Sequence, residues 1–595
     1  MRNGAMAWWI GWSLLICWAW GGAAGAAEDL RERPQLRRPV GLVHDEIGQR
    51  LYVANRCGTL STLDTVTGRV LSEVEIGDRL EWLAPLGEGG SGHLVAVDSG
   101  AQQLLVLRKA GEPGEARVEV AARIGVKGEP VYCVSDDRGR RLFAAARWAR
   151  RVVCLERSDH GDRPSQWRRA WQIDTPFAPR VLTWVAATSQ LLVADAFGGR
   201  IGVIAGAEGK WRRQRAVPGH QFRGMALMPD GETLVLAQQI LNPLARTDDN
   251  DVHWGILMSN DLRWLKLSAL QDPRTDLFEQ SYMTPLGEAS HAAADPAGVL
   301  VLADSTVVVT LGGVGEIAYG KPGDYVFRRM RVGRRPTALV HGGGRVVYIA
   351  DTLDDTISVV DLAREERTAV WSLGPRRPLS LAERGEVAFY DGKLSMDGWM
   401  SCHSCHIDGH TNSQLNDNIS DGGYETPKRV LSLLGKEGTA PFAWGGTSRS
   451  LETQVQRSIQ KTMRFRGKVE EETVRAIAAF VRSLPPPPGI DVARAIPMTA
   501  SARRGKQLFG SLGCIECHAP PRYTSNACYD VGLADERGMR QFNPPSLLGV
   551  SQRDRFLHDG RAATLSEVFS QHGHQLDDPL EAEELADLLA FLRRL

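Results

Sequence analysis

Two short segments of the chain repeat the same arrangement of cysteine and histidine. Residues 401–406 read SCHSCH and residues 513–518 read GCIECH, so each contains Cys-x-x-Cys-His. In this spacing the two thiols can form thioether bonds to one haem, and the histidine that follows can reach the iron. The motifs therefore predict two covalently bound haem c groups. The predicted attachment residues are the cysteines and the predicted iron ligands are the histidines: Cys402, Cys405, Cys514 and Cys517, with His406 and His518.

A structural zinc site is the alternative for paired cysteines. In a zinc ribbon, two such pairs stand roughly 15–20 residues apart in the sequence. Here Cys402 and Cys514 are 112 residues apart, and each pair carries the additional histidine. The spacing therefore favours haem over zinc at both motifs.

The N-terminal segment has the pattern of a secretory signal peptide. Arg2 is followed by a short apolar run over residues 7–20 and then by small residues that end at Ala27. The run is shorter than the ~20 residues that a membrane-spanning helix needs. We therefore predict a signal peptide over residues 1–27, a periplasmic or otherwise exported protein, and no stable membrane anchor.

The composition limits the remaining possibilities. Lys and Arg together number 71, as do Asp and Glu, so the formal net charge is zero and gives no field that would favour nucleic acid. A chain of 595 residues suggests several domains. Cys57, Cys133 and Cys154 lie outside the motifs. In an oxidising compartment two of them could form a disulfide, or they could remain buried thiols.

Residues 36–378 consist of short apolar runs separated by Gly, Asp and Asn. Residues 51–71 and 346–361 have the form strand, polar turn, strand, Asp, and weaker copies lie between them. Strands at this spacing, without a helical period, predict an all-β repeat. About 340 residues at roughly 40–50 per blade correspond to about seven blades. We therefore predict a closed β-propeller, and the first and last copies resemble the YVTN type.

One segment interrupts this repeat. Residues 241–255 read LNPLARTDDNDVHWG, with four acidic or amide residues in a row before His253 and Trp254. The segment lacks the glycine and the distal glutamate of a calcium-binding loop. It is either a solvated surface loop or a binding loop, and the sequence leaves both open.

The C-terminal third is a tandem repeat built around the two motifs. Each motif follows a Gly-x-x-x-Phe segment and precedes a Ser-Leu-Leu-Gly segment. Each copy ends with a helix whose apolar residues recur at i, i+4, i+7 and i+11. A stiff polyproline run at Pro485–Pro488 separates the copies. We therefore predict a multidomain chain, in which two all-α cytochrome c domains over residues 379–489 and 490–595 follow the propeller.

Two segments of this region resemble bacterial di-haem cytochrome c peroxidases and their MauG relatives. Residues 385–406 read GEVAFYDGKLSMDGWMSCHSCH, and residues 544–572 read PPSLLGVSQRDRFLHDGRAATLSEVFSQH. The resemblance spans about residues 379–595 and leaves out the propeller. It implies an oxidoreductase whose second haem is the electron-entry site and whose first haem is the peroxide site. It also implies a small redox protein as electron donor or acceptor.

The resemblance also implies roles for individual residues. In the family, the sixth ligand of the second haem lies a few residues past a Thr-Leu-x-Glu motif, and His572 holds that place after Thr564–Glu567. Trp444 matches a tryptophan that lies between the haems and can relay electrons. Gln454 matches a glutamine beside the peroxide site. His572 could instead be a helix-surface histidine, and Trp444 could be a core aromatic residue.

The chain departs from the family at the peroxide site. The family's catalytic glutamate is missing, because residues 460–463 read QKTM. Met463 stands next to the vacated position and could bind the first iron opposite His406. This ligand would close the site to peroxide and would raise the reduction potential of the first haem. The first haem would then have a higher potential than the second, the reverse of the family's usual order. His403 and His410 are rival ligands, disfavoured because they lie so near the attachment motif.

Three further residues concern a possible calcium site. Asn543, Arg553 and Arg555 fall near the place where the family holds a calcium ion, but the two arginines replace the usual residues, which argues against calcium. The function we expect is electron transfer or haem-dependent oxidoreduction, with the propeller as a platform for a substrate or partner. The alternatives are a cytochrome c peroxidase that reduces hydrogen peroxide and a non-enzymatic redox-sensing or docking protein. Whether the chain is an enzyme, and on which substrate, the sequence leaves open.

Overall fold

Short buried strands joined by tight turns make up the first two thirds of the computed structural model, which describes residues 29–87, 92–110, 116–158 and 166–595. The predicted signal peptide lies outside these residues. Within them, no helix combines the length and the apolar character needed to cross a membrane.

Twenty-eight strands form seven antiparallel four-stranded sheets, each built from consecutive strands. Blade 1 holds β1 (Pro39–Asp45), β2 (Arg50–Asn55), β3 (Thr59–Asp64) and β4 (Val70–Glu75). Blade 2 holds β5 (Leu80–Pro85), β6 (His93–Asp98), β7 (Gln103–Ala110) and β8 (Arg117–Gly125). Blade 3 holds β9 (Pro130–Ser135), β10 (Arg141–Ala146), β11 (Arg151–Ser158) and β12 (Gln166–Asp174). Blade 4 holds β13 (Pro179–Val185), β14 (Gln190–Asp195), β15 (Arg200–Ala205) and β16 (Lys210–Ala216).

The last three blades follow the same order. Blade 5 holds β17 (His220–Leu227), β18 (Thr233–Leu241), β19 (Met258–Lys266) and β20 (Tyr282–Pro285). Blade 6 holds β21 (Pro296–Val301), β22 (Val307–Leu311), β23 (Glu316–Gly320) and β24 (Arg328–Arg331). Blade 7 holds β25 (Pro336–His341), β26 (Val346–Asp351), β27 (Thr356–Asp361) and β28 (Glu366–Ser372).

The blades close into a ring around a central channel. The first strand of each blade contacts the first strand of the next, and β1 contacts β25. The first three strands of a blade are largely buried, whereas the outermost strand alternates between exposed and half-buried residues, as in β16. This alternation arises because one face of the outermost strand meets water. The predicted seven-bladed β-propeller is confirmed.

The segment that interrupts the repeat lies between β18 and β19. It contains helix α1 (Asp249–His253), and helix α2 (Leu267–Gln271) follows β19. The backbone carbonyl of His253 accepts a hydrogen bond of 3.0 Å from the Trp399 indole, and Asp249 pairs with Arg464 at 2.5 Å. The segment therefore joins the propeller to the C-terminal region.

The C-terminal region repeats one helix pair. Its helices are α3 (Leu381–Phe389), α4 (Cys402–Cys405), α5 (Leu451–Arg457), α6 (Glu471–Ser483), α7 (Ile490–Ala493), α8 (Ala500–Ser511), α9 (Leu565–Ser570) and α10 (Ala582–Leu592). Helix α3 packs on α6, and α8 packs on α10. A Cβ atom on Gly385 would collide with the carbonyl of Ala476, and one on Gly505 with the carbonyl of Asp587. The repeated glycine therefore lets each pair approach closely.

The prediction of two all-α domains holds only in part. The helices are joined by long irregular segments, and two small sheets pair β29 (Leu415–Asn416) with β30 (Lys428–Arg429) and β31 (Tyr529–Asp530) with β32 (Gln541–Phe542). Gly, Pro, Asn and Asp recur between residues 407 and 450, and these residues favour turns over helix. The boundaries after residues 378 and 489 fall between β28 and α3 and just before α7, and they remain predictions.

Candidate haem sites

The first Cys-x-x-Cys-His motif forms one helical turn. Ser401 caps α4 by accepting a hydrogen bond from the backbone N–H of His403, and His406 ends the turn. Cys402, Cys405 and His406 line a cavity of about 190 Å³. A helical turn brings the two thiols to one side of the chain and directs the histidine towards the same space.

The backbone fixes the orientation of His406. Its Nδ1–H donates to the carbonyl of Leu431 at 2.8 Å, which leaves Nε2 as the nitrogen that can bind a metal. Burial lowers the pKa of His406 to about 4, so the imidazole is neutral at physiological pH. The neutral ring is the form that binds a metal.

The structure also places the predicted glutamine, the predicted methionine ligand and the two rival histidines. Gln454 and Met463 line the same cavity as His406, and the side chain of Met463 is only 4% exposed. His403 and His410 lie elsewhere: His403 accepts a bond from the Asp408 backbone, and both ring nitrogens of His410 are engaged, by Ser432 and by Gln552. The structure therefore brings Met463, and neither rival histidine, together with His406.

Asp421 is a residue of this cavity that the sequence did not reveal. It ends a short 3₁₀ turn over Ile419–Asp421 and lines the first cavity together with Gln454. Burial raises the pKa of its carboxyl to about 6, against the opposing effects of Lys428 and Arg457. A carboxyl with such a pKa can exchange a proton near neutral pH. The cavity thus has an acid, although none stands at 460–463.

The second motif builds an equivalent cavity of about 320 Å³. Cys514, Cys517 and His518 line it. The Nδ1–H of His518 donates to the carbonyl of Tyr523 at 3.2 Å, so Nε2 is again left for a metal. Burial, with a smaller contribution from the neighbouring His574, lowers the pKa of His518 to about 4.

The structure distinguishes the two histidines near the end of α9. His574 lines the second cavity with His518, and burial lowers its pKa. His572, the ligand predicted from the Thr-Leu-x-Glu motif, does not line that cavity. Its Nε2 atom is buried and has no hydrogen-bond partner among the described residues. Gly573, which separates the two histidines, has a φ of 50°, a left-handed backbone conformation.

Trp444 stands in the wall between the two cavities. It lines both of them, as do Arg429, Asn543, Pro544 and Pro545. The Trp444 side chain is 6% exposed, and its indole N–H donates to the carbonyl of Arg429 at 2.7 Å. Its own carbonyl accepts from the Asn543 backbone at 2.7 Å. These two hydrogen bonds therefore fix both the indole and the backbone of Trp444 in the wall.

Three cations line the cavities without an acidic partner. Arg429 faces both cavities, Lys436 the first and Arg553 the second, and no carboxylate among the described residues pairs with any of them. Burial lowers the pKa of Lys436 to about 8, that of Arg429 to about 9 and that of Arg553 to about 10. Buried cations of this kind need an anion. Each cavity thus has two thiols, a neutral imidazole and unpaired cations. These groups fit a haem and its negatively charged propionates.

The propeller holds the first motif in place. Asp408, two residues after His406, accepts hydrogen bonds from Arg147 and Arg180 at 3.0 Å and from Arg223 at 2.5 Å. These three arginines belong to blades 3, 4 and 5. They hold the pKa of Asp408 well below its usual range, against the opposing effect of burial.

A second contact fixes the start of the same turn. The buried carboxylate of Asp295, which precedes β21, accepts from the hydroxyls of Ser401 and Ser404 at 2.5 and 2.6 Å. The Nε2–H of His220 donates to the carbonyl of Ser404 at 2.8 Å. The propeller therefore contacts the attachment turn through Ser401 and Ser404 and, just after the turn, through Asp408.

The two copies of the C-terminal repeat, residues 379–489 and 490–595, are called the first and second modules below. The second module also contacts the propeller. Asp554 pairs with Arg150 at 3.1 Å and with Arg200, and the Gln552 amide donates to the carbonyl of Trp148 at 2.7 Å. Nothing in the sequence marks these partners, since they are more than 300 residues apart in the chain. Both modules are thus fixed on one support.

The chain is similar to proteins of one known family. Residues 380–486 match the family described as di-haem cytochrome c peroxidase. The methylamine utilization protein MauG of Methylorubrum extorquens is 27% identical over 275 residues, which cover 36% of this chain and 76% of the relative. Cytochrome c551 peroxidase of Nitrosomonas europaea is 23% identical over 266 residues, which cover 36% of this chain and 79% of the relative.

A solved structure resembles a larger part of the chain. One chain of hydrazine synthase from Kuenenia stuttgartiensis aligns with 57% of this chain and 99% of its own length, at 14% identity and a TM-score of 0.47. The family match includes the first of the two cysteine motifs, at residues 401–406. Residues 380–486 of this chain therefore match the di-haem cytochrome c peroxidase family, and they follow a seven-bladed β-propeller.

Proposed function

We propose that this chain is an exported di-haem c-type cytochrome that performs electron transfer or haem-dependent oxidoreduction. Two cavities with the same set of two thiols and one oriented imidazole, separated by Trp444, support this proposal most directly. A bound haem c supplies reversible one-electron oxidation and reduction of its iron. We further propose a small redox protein as the electron donor or acceptor and the periplasm as the location.

The protein's own residues set the geometry of this reaction. Cys402 and Cys405 would hold the first haem, and His406 would bind its iron through the free Nε2. In the wall, the Trp444 indole provides an aromatic bridge of fixed orientation between the cavities. The propeller keeps both modules in register through Asp408 and Asp554. The propeller face around Asp408 is therefore occupied by the contact with the first module. We propose that the other surfaces of the propeller bind the substrate or partner.

Met463 is the ligand that we propose opposite His406. In the Met463→Leu variant we expect the oxidised first haem to change from low-spin to high-spin, because leucine has a similar volume but no sulfur. The midpoint potential of the first haem should fall by on the order of 100 mV, a fraction of the ~0.8 V range that axial ligands set. Electron paramagnetic resonance and a redox titration measure the two effects.

Met400→Leu is the matched control, since Met400 is a buried methionine of the same cavity. We expect it to leave the spin state of the first haem unchanged. A first haem that is already high-spin in the unmodified oxidised protein, or a low-spin signal that survives in Met463→Leu, would show that Met463 is a core residue only.

His574 is the sixth ligand that the cavity geometry favours for the second haem, whereas the family motif favours His572. We expect His574→Ala to abolish the low-spin signal of the second haem, because this removes the imidazole that lies beside His518. His572→Ala serves as the comparison and should leave that signal in place. The opposite pair of spectra would restore the assignment to His572.

Reduction of hydrogen peroxide is a second candidate function, and Asp421 is the observation that favours it. Peroxide cleavage needs a group that accepts and returns a proton within reach of the reacting oxygens. Asp421 lines the first cavity and has a pKa of about 6. It can therefore hold a proton at low pH and release it above pH 6, which is the role that the missing glutamate has in the family.

The test uses the Met463→Leu protein, in which the sixth position is free. We expect this variant to turn over peroxide, with a rate that rises as the pH increases through about 6. Adding Asp421→Asn should lower the rate by ~10²-fold or more and remove this pH dependence. Adding Glu425→Gln, an exposed acid four residues away, should change neither. Equal rates with and without Asp421→Asn would show that Asp421 handles no proton.

A further inference from the structure

The propeller channel contains a cavity that neither haem site uses. The first strands of all seven blades contribute to its wall, from Val40 of β1 to Thr337 of β25. The cavity has a volume of about 60 Å³, several times the ~10–15 Å³ that one water molecule needs. Arg180 and Arg223 line it and also bind Asp408, so the cavity lies directly beneath the first haem module.

The wall of this cavity carries an excess of positive charge. Of the described residues that line it, four bear guanidinium groups and only Glu81 bears a carboxylate. The guanidinium groups belong to Arg56, Arg180, Arg223 and Arg335. Arg180 and Arg223 share the single carboxylate of Asp408. Burial, with a smaller contribution from Arg223, still lowers the pKa of Arg180 to about 9, and burial also lowers the pKa of Arg335.

Several N–H groups of these arginines lack an acceptor. Nε of Arg56, Nε of Arg223 and Nη1 of Arg335 are buried without a hydrogen-bond partner in the described part of the chain. Arg335 is only 6% exposed. Its guanidinium lies 3.2 Å above the Tyr390 ring, and the carboxylate of Glu386 is 3.9 Å away, beyond hydrogen-bond distance.

A buried donor without an acceptor destabilises a protein, and an unpaired buried charge does so more strongly. Guanidinium groups offer their N–H donors in a planar fork that suits small anions. We propose that the propeller channel binds a small monovalent anion, of the size of a halide, among Arg56, Arg180, Arg223 and Arg335. The site is separate from both haem cavities, and this inference does not depend on the proposed redox function.

Bromide is the probe for this site, because its anomalous scattering identifies it. In crystals of the haem-loaded, full-length protein grown with sodium bromide, we expect an anomalous peak inside the channel beside Arg335. In solution, bromide should raise the midpoint of thermal unfolding by on the order of 1–3 °C over gluconate at equal ionic strength, since gluconate is too large for the cavity.

Two neighbouring arginines provide the variant and its control. Arg335→Gln should abolish the bromide-dependent shift in midpoint, while Arg334→Gln should retain it, because Arg334 is exposed and pairs with Asp354 outside the channel. The crystals keep the inference testable if Arg335→Gln does not fold. Two results together would overturn the inference. The channel would show no anomalous peak, and bromide would give the same midpoint of thermal unfolding as gluconate in both the unmodified protein and Arg334→Gln.

Discussion

Replacing Cys514 and Cys517 with alanine is expected to leave a mature protein with one covalently bound haem instead of two. Each pair of thiols lines its own cavity, and the two cavities are separated by a wall that contains Trp444. Loss of one attachment pair should therefore not affect the other. The intact mass of the purified protein measures the number of haems, and the corresponding change at Cys402 and Cys405 should also remove one.

Cys528→Ala is the control for this experiment. Cys528 is a free, half-buried cysteine of the same module, but it does not line the second cavity. We expect two haems in this variant. An unmodified mature protein that carries one haem or none would contradict the assignment of both motifs, as would a double variant that keeps two.

Asp408→Asn is expected to lower the free energy of unfolding by about 3–5 kcal/mol, the cost of breaking a buried charge network by removing one partner. The variant leaves Arg147, Arg180 and Arg223 facing each other without their shared carboxylate. Because the pKa of Asp408 is depressed in the folded protein, its stabilising effect is present above the unfolded pKa of ~3.9 and is lost as the pH falls. Denaturant titration with the first haem as the spectroscopic probe measures the change.

The matched control is an exposed ion pair across the same interface. Asp249 of the propeller pairs with Arg464 of the first module at 2.5 Å, and both side chains are partly exposed to water. Asp249→Asn should therefore cost no more than about 1 kcal/mol. If both variants cost the same small amount, the arginines of blades 3 to 5 do not anchor the first module.

The repeated elements of the chain were predictable because their signals are local. The strand, turn, strand pattern recurs in each blade, and its spacing alone gave the number of blades that the structure has. In the C-terminal region, Gly385 and Gly505 were visible as a repeat, and they are the points where a helix pair makes its closest approach. The all-α prediction failed between these helices, because helical periodicity reports only the helices and not the irregular segments that join them.

The candidate sites divide in the same way. The Cys-x-x-Cys-His spacing acts within five residues, so the sequence by itself predicted the attachment chemistry. The orientation of His406 and His518 came from the structure, through the carbonyls of Leu431 and Tyr523. Asp421 lines the first cavity and His574 the second. Each lies at a turn whose direction no local sequence pattern specifies. The support of Asp408 combines arginines from three blades, all more than 180 residues away in the chain. Chemistry set by neighbours along the chain was determined by the sequence, whereas burial, pKa shifts and charge pairing depend on distant residues meeting, and only the tertiary structure decided them.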